Sequence, residues 1–320
     1  MRILITLAIA ALMAAPAFAD ATLQEKTQLH FGGPLGSVIN VFGRSATHEG
    51  TISDVAVHGN RKSTRSGDSG QIVDLDEQKV YSLDYSRQIY KVTTFDELRK
   101  QYEDAKARAK EQQAKRGTSN DKNEGPEMEV EFSIKSTGNK ETINGWNTHE
   151  EVATVTVHEK GKKLEESGGF VLTSDMWIGP RIGAMRELAE FERKFIQKVY
   201  GDALIGDMQQ MAAFMATTPA FAKAMKTFNQ KQANLEGTPV RTKMTFESVA
   251  GANGDTTAQS QPSSPASAIG GLLGRMKRKR GEDEGGAARS TLLDSNHELL
   301  KASTSASADA VALPAGFKLK

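Results

Sequence analysis

The sequence predicts an α+β fold, and three observations carry the prediction. Short apolar-polar segments separated by turn residues run from residue 22 to 93, as a meander of antiparallel strands does. Apolar and polar residues alternate from Met128 to Lys135. Between Pro180 and Gln232 the apolar period changes to steps of three and four, and a two-residue period returns from Val240 to Glu247. The result is two strand groups, a helical insertion and returning strands.

In the first group the expected strands are 22–30, 37–42, 51–58, 61–65, 71–75, 79–84 and 88–93. The turns between them carry Gly32-Gly33-Pro34, Gly59-Asn60, Gly67-Asp68-Ser69-Gly70 and Asp84-Tyr85-Ser86-Arg87, residues that accept positive φ or cap their own backbone. Thr94-Phe95-Asp96-Glu97 has the spacing of a capping box, so a helix starts there. Phe95, Leu98, Tyr102, Ala105 and Ala109 form its narrow apolar stripe, which fades before Arg116. A polar tract over 117–127 follows.

The second group begins with Met128, Val130, Phe132 and Ile134 on one face of a strand. Asn144-Gly145 is a two-residue hairpin turn between strands 140–143 and 146–158, and 170–177 closes the group. In the insertion, Ile182, Met185, Leu188, Phe191, Phe195 and Val199 repeat helically, with breaks expected at Gly201, Gly206 and Pro219. Met208, Met211 and Met215, then Phe221 and Met225, continue the pattern. Such a methionine-rich face reads first as packed core, and otherwise as a soft copper(I) site or a pliable surface for an apolar ligand. After strand 240–247, residues 251–289 are rich in Ser, Gly, Ala and Pro and predict a disordered loop, with strands returning at 290–301 and 313–319.

Residues 1–19 read as a signal peptide: Arg2, an apolar stretch from Ile3 to Met13, and Ala17-Phe18-Ala19 before Asp20. A periplasmic or secreted protein is the expectation. Residues 20–250 and 290–320 then form a single domain, with the helical insertion at 180–235 and the loop at 251–289. The 41 basic and 40 acidic residues nearly balance, which argues against a nucleic-acid partner. There is no cysteine, hence no thiol nucleophile, no thiolate metal site and no lipidated cysteine. No later segment reaches the roughly 18 apolar residues of a transmembrane span. Ile269 to Arg280 mixes apolar and basic residues and admits peripheral contact with an anionic membrane surface.

Gly67-Asp68-Ser69-Gly70 matches the string around the nucleophile of chymotrypsin-like proteases. Too few strands precede Ser69 to carry the histidine and aspartate of that family, so the string reads as a hairpin turn. The six histidines, His30, His48, His58, His149, His158 and His297, form no HxH, HxxxH or HExxH spacing. No catalytic residue, metal or cofactor is therefore assigned, and the expectation is a protein that is not an enzyme.

Several segments together resemble bacterial envelope proteins of the lipoprotein-carrier (LolA/LolB-like) fold group. They are Ile72 to Asp84 with Gln88-Ile89-Tyr90, Thr142-Ile143-Asn144-Gly145-Trp146, Asp175-Met176-Trp177-Ile178, Glu236-Gly237-Thr238-Pro239-Val240 and Leu313-Pro314-Ala315-Gly316-Phe317. The resemblance implies a strongly curved antiparallel sheet, an unclosed β-barrel covered on its concave side by helices. It also implies a hydrophobic cleft for a lipid, an acyl chain or a lipoprotein, for which the candidates are Met128, Val130, Phe132, Ile134, Met208, Met211, Met215, Phe221 and Met225. The alternative is a structural or interaction module of the envelope. It would meet a protein partner through its charged helix and loop and would have no ligand cavity.

Overall fold

The computed structural model describes residues 20–32, 50–116, 127–217, 235–251 and 289–320. The expected strand 37–42, the signal peptide 1–19, most of the loop 251–289, Phe221 and Met225 lie outside the described residues. Met208, Met211 and Met215 lie on a described helix, but their side chains are outside the described part.

The strands are β1 (Asp20–Phe31), β2 (Thr51–His58), β3 (Arg61–Ser66), β4 (Ser69–Asp74), β5 (Lys79–Asp84), β6 (Ile89–Thr94), β7 (Met128–Ile143), β8 (Trp146–Glu159), β9 (Gly169–Gly179), β10 (Thr238–Val249), β11 (Arg289–Ser303) and β12 (Lys318–Leu319). The helices are α1 (Phe95–Arg116), α2 (Leu164–Ser167) and α3 (Gly183–Thr217). All twelve strands join one sheet in the order β12-β6-β5-β4-β3-β2-β1-β11-β10-β9-β8-β7. Every pairing is antiparallel except β12 on β6, so the sheet is mixed, and among the described residues β12 and β7 stand at its two ends without closing it.

Local chemistry accounts for the turns and for the start of α1. Gly67-Asp68 makes a two-residue hairpin between β3 and β4, with Gly67 at φ 56°, and Ser69 pairs with Ser66 as an ordinary strand residue. Asn144 and Gly145 both take positive φ, as a two-residue hairpin of matching twist requires. At the start of α1 the Glu97 amide donates to Thr94 Oγ1 at 3.2 Å, and the Thr94 amide donates to Glu97 Oε2 at 2.7 Å.

The expectation of a sheet covered on its concave side by helices is overturned. Twelve strands spaced about 4.8 Å apart span roughly 50 Å, whereas a helix with its side chains is about 10 Å wide. Two long helices cannot cover such a sheet, and the third described helix is a single turn. α3 packs on β1, β2 and β11, and α1 packs on β6 and α3. The core they cover holds Leu23, Val55, Val57, Val73, Val80 and Leu299 from the sheet, with Phe95, Phe191 and Val199 from the helices. α1 then runs out along the fading stripe, with Glu103, Asp104, Ala105, Ala107 and Arg108 all exposed.

α3 is held at its middle, where Gly201 leaves helical geometry at φ 44°. Arg99 of α1 donates to the carbonyls of Val199 and Lys198, and the Lys198 ammonium donates to the Leu75 carbonyl. The two Arg99 bonds satisfy carbonyls beside the break in α3. On the opposite face of β4–β6, Ile72, Tyr81 and Leu83 are covered by Leu313 and Phe317 of the C-terminal segment. That segment is a short 3-10 helix at Ala308–Val311 and the two residues of β12, so the expected strand over 313–319 is corrected to a covering strap.

Candidate functional site

Residues opposite one another in an antiparallel pair share a face of the sheet, so the register can be read as rows running across strands. One row joins six strands: Phe132 on β7, Val155 on β8, Leu172 on β9, Phe246 on β10, Leu293 on β11 and Phe31 on β1. All six are half-buried. The next row is Ile134, Ala153, Ser174, Met244, Ser295 and Leu29, and a shorter one on the other side is Val130, Val157 and Phe170. Phe170 and Phe246 stack with ring centroids 5.6 Å apart. None of these residues belongs to the core that α1 and α3 cover. With strands about 4.8 Å apart and about 3.3 Å per residue, the six-strand part of this apolar face measures roughly 24 Å across.

The third row changes chemistry. It reads Ser136, Glu151, Met176, Thr242, His297 and Thr27. One step further along β1, Glu25 sits opposite Leu299, which belongs to the helix-covered core. A polar band containing Glu151, Thr242, His297 and Glu25 thus divides the apolar face from the packed core. His297 Nε2 lies 3.6 Å from Glu25 Oε2, and the carboxylate facing it raises the imidazole pKa against the opposing effect of burial.

Glu151 is only 2% exposed, and its Oε2 is sealed from solvent with no hydrogen-bond partner among the described residues. Its neighbour Glu150 points to the other face and is well supplied: Thr137 donates to it at 2.5 Å and Asn139 at 2.7 Å, which lowers its pKa. On that same outer face Asp175 has its pKa raised, first by burial and then by the Glu150 charge. A buried polar atom without a partner costs about 1–3 kcal/mol, so Glu151 is the least satisfied group on the face.

The four strand candidates are placed as follows. Val130, Phe132 and Ile134 share the apolar face, on the edge strand β7. Met128, opposite Glu159 at the strand end, is 44% exposed. Sequence reasoning missed Leu172, Phe246, Leu293 and Glu151. For Glu151 the signal was available, because it has the same two-residue phase as Ala153, Val155 and Val157.

A second concavity of about 870 Å³ is lined by Gln24, Asp54, Arg65, Tyr85, Asn144 and Trp146 among others. Its polar groups are engaged: Gln24 donates to Asp54 at 2.8 Å, Asn144 donates to Glu298 outside the lining at 2.8 Å, and the Arg65 guanidinium lies 4.1 Å from the Tyr85 ring centroid. Among the described residues no group of three or more His, Asp or Glu is placed to hold a metal ion, and no helix is long and apolar enough to cross a membrane. Comparison with family models, with curated protein sequences and with solved structures finds no match to this chain.

Proposed function

We propose that this chain is a non-enzymatic binding protein of the bacterial envelope, periplasmic or secreted, that holds an apolar ligand against the sheet face formed by β7–β11 and β1. The observation that carries the reading is the row Phe132, Val155, Leu172, Phe246, Leu293 and Phe31, six large apolar side chains side by side and half-buried, outside the helix-covered core. Apolar surface of this kind gains about 25 cal/mol for each Å² removed from water, so an extended acyl chain laid across it is held without specific bonds. A long flat ligand suits a row better than a globular one does. The resemblance of scattered segments to lipoprotein carriers supports an acyl chain, free or attached to a lipid or lipoprotein, as the cargo.

The test is native mass spectrometry of the whole chain purified from its cells, with lipid extraction of what accompanies it. The reading expects a stoichiometric lipid or acylated peptide, or uptake of one when offered to the delipidated protein. A ligand-free mass together with refusal of added lipids refutes it.

A further inference from the structure

We infer that the ligand is an amphiphile whose polar end donates hydrogen bonds, an amine or an alcohol on a long apolar chain, and that Glu151 accepts from it. The inference rests on the apolar-ligand reading above and adds the chemistry of the head group.

Glu151 occupies the boundary between two environments. On one side along β8 are Ala153, Val155 and Val157, which face the apolar rows; across β9 its partner is Met176. Its Oε2 has no donor within reach among the described residues, although the side chain is almost wholly removed from solvent. A carboxyl oxygen in such a place is costly as a purely structural feature, because an apolar residue of similar size would fill the same volume without the loss. An incoming O–H or N–H removes that cost, and the carboxyl group accepts it whether or not it is ionised.

The rest of the polar band sets the sign. It includes Glu151, Thr242, His297 and Glu25, and no lysine or arginine stands in the four rows. His297 is already engaged by Glu25. Among the described residues a carboxylate or phosphate head would therefore meet two acidic side chains and no lysine or arginine of these rows, whereas a donor head meets acceptors. The apolar rows begin immediately beyond the band and continue to Val130 and Val157, six residues and roughly 20 Å away along the strands. That is room for a long extended chain with its head at Glu151.

The experiment titrates the whole chain by calorimetry with dodecylamine, dodecanol and dodecanoate below their aggregation limits. The hydrocarbon dye diphenylhexatriene is titrated alongside by fluorescence. Both donor-headed probes are expected to bind at least about tenfold more tightly than dodecanoate at neutral pH. Glu151→Leu is expected to abolish that preference while leaving dye uptake unchanged. Glu151→Gln, which keeps the shape, should weaken the amine more than the alcohol and guards against a folding defect in the leucine variant. Dye uptake with no discrimination among heads, or a preference that survives Glu151→Leu, overturns the inference and leaves the apolar face standing. No dye uptake overturns both.

Discussion

Phe170 and Phe246 stack diagonally across β9 and β10, with centroids 5.6 Å apart and planes inclined by 21°, in the middle of the apolar face. Both rings are half-buried, so they are committed partly to the sheet and partly to whatever lies on it. Phe246→Ala is expected to cost about 1–3 kcal/mol of stability, less than a fully buried phenylalanine, and to weaken binding of an apolar probe by about tenfold or more. Urea denaturation and probe titration on the same variant separate the two effects. Loss of stability with unchanged binding would remove this pair from the site.

Lys62 of β3 and Glu192 of α3 form a direct ion pair that fixes the helix to the sheet, with Lys62 only 14% exposed. Glu192→Ala leaves a nearly buried ammonium without its partner and is expected to destabilise the chain by about 1–3 kcal/mol. The double variant Lys62→Met, Glu192→Ala should recover part of that loss. Additive losses in the double-mutant cycle would show that the pair contributes nothing.

His297 has its pKa raised by the Glu25 carboxylate that faces its ring N–H, so the folded state holds this proton more tightly than the unfolded chain does. Its contribution to stability is fully present below the unfolded pKa, about 6.5, and is lost as pH rises through the folded value. Glu25→Gln should lower the His297 pKa and flatten stability across that window. Proton NMR titration of the imidazole, with denaturation curves on both sides of the window, checks the sign.

Asp175 and Glu150 are neighbouring carboxyl groups on the outer face, and the Asp175 pKa is raised, mainly by burial and next by Glu150. A raised carboxyl pKa means that stability falls as pH rises from the unfolded value to the folded one. Asp175→Asn keeps a donor toward Glu150 without the second charge. It is expected to stabilise the chain at neutral pH by about 0.5 kcal/mol, screened by solvent, with the gain vanishing in acid. A variant less stable than the parent at neutral pH would contradict this.

The elements were legible where the signal is local. Thr94 and Glu97 announced α1, Asn144-Gly145 announced the β7–β8 hairpin, and the alternation of Val130, Phe132 and Ile134 marked the inner face of β7. The order across the sheet was not legible. β10 and β11 insert between β9 and β1, pairing Phe246 with Leu293 and Leu293 with Phe31, and these contacts join distant segments. A two-residue period says which side chains share a strand face but not which strand lies alongside. The extent of the helical cover was hidden for a similar reason. Phe191 and Val199 show that α3 has an apolar stripe, yet only the assembled sheet reveals that Leu172 and Phe246 are not in the core cluster these two residues join.

The most direct test of an apolar-ligand face is photolabelling with a diazirine-bearing long-chain alcohol, followed by mass-spectrometric mapping of the labelled positions. The account predicts labels on the peptides that carry Val155, Leu172 and Phe246, displaced by unlabelled dodecanol. Labels confined to the Tyr85–Trp146 concavity or to the C-terminal strap, or labelling that dodecanol fails to displace, would contradict it.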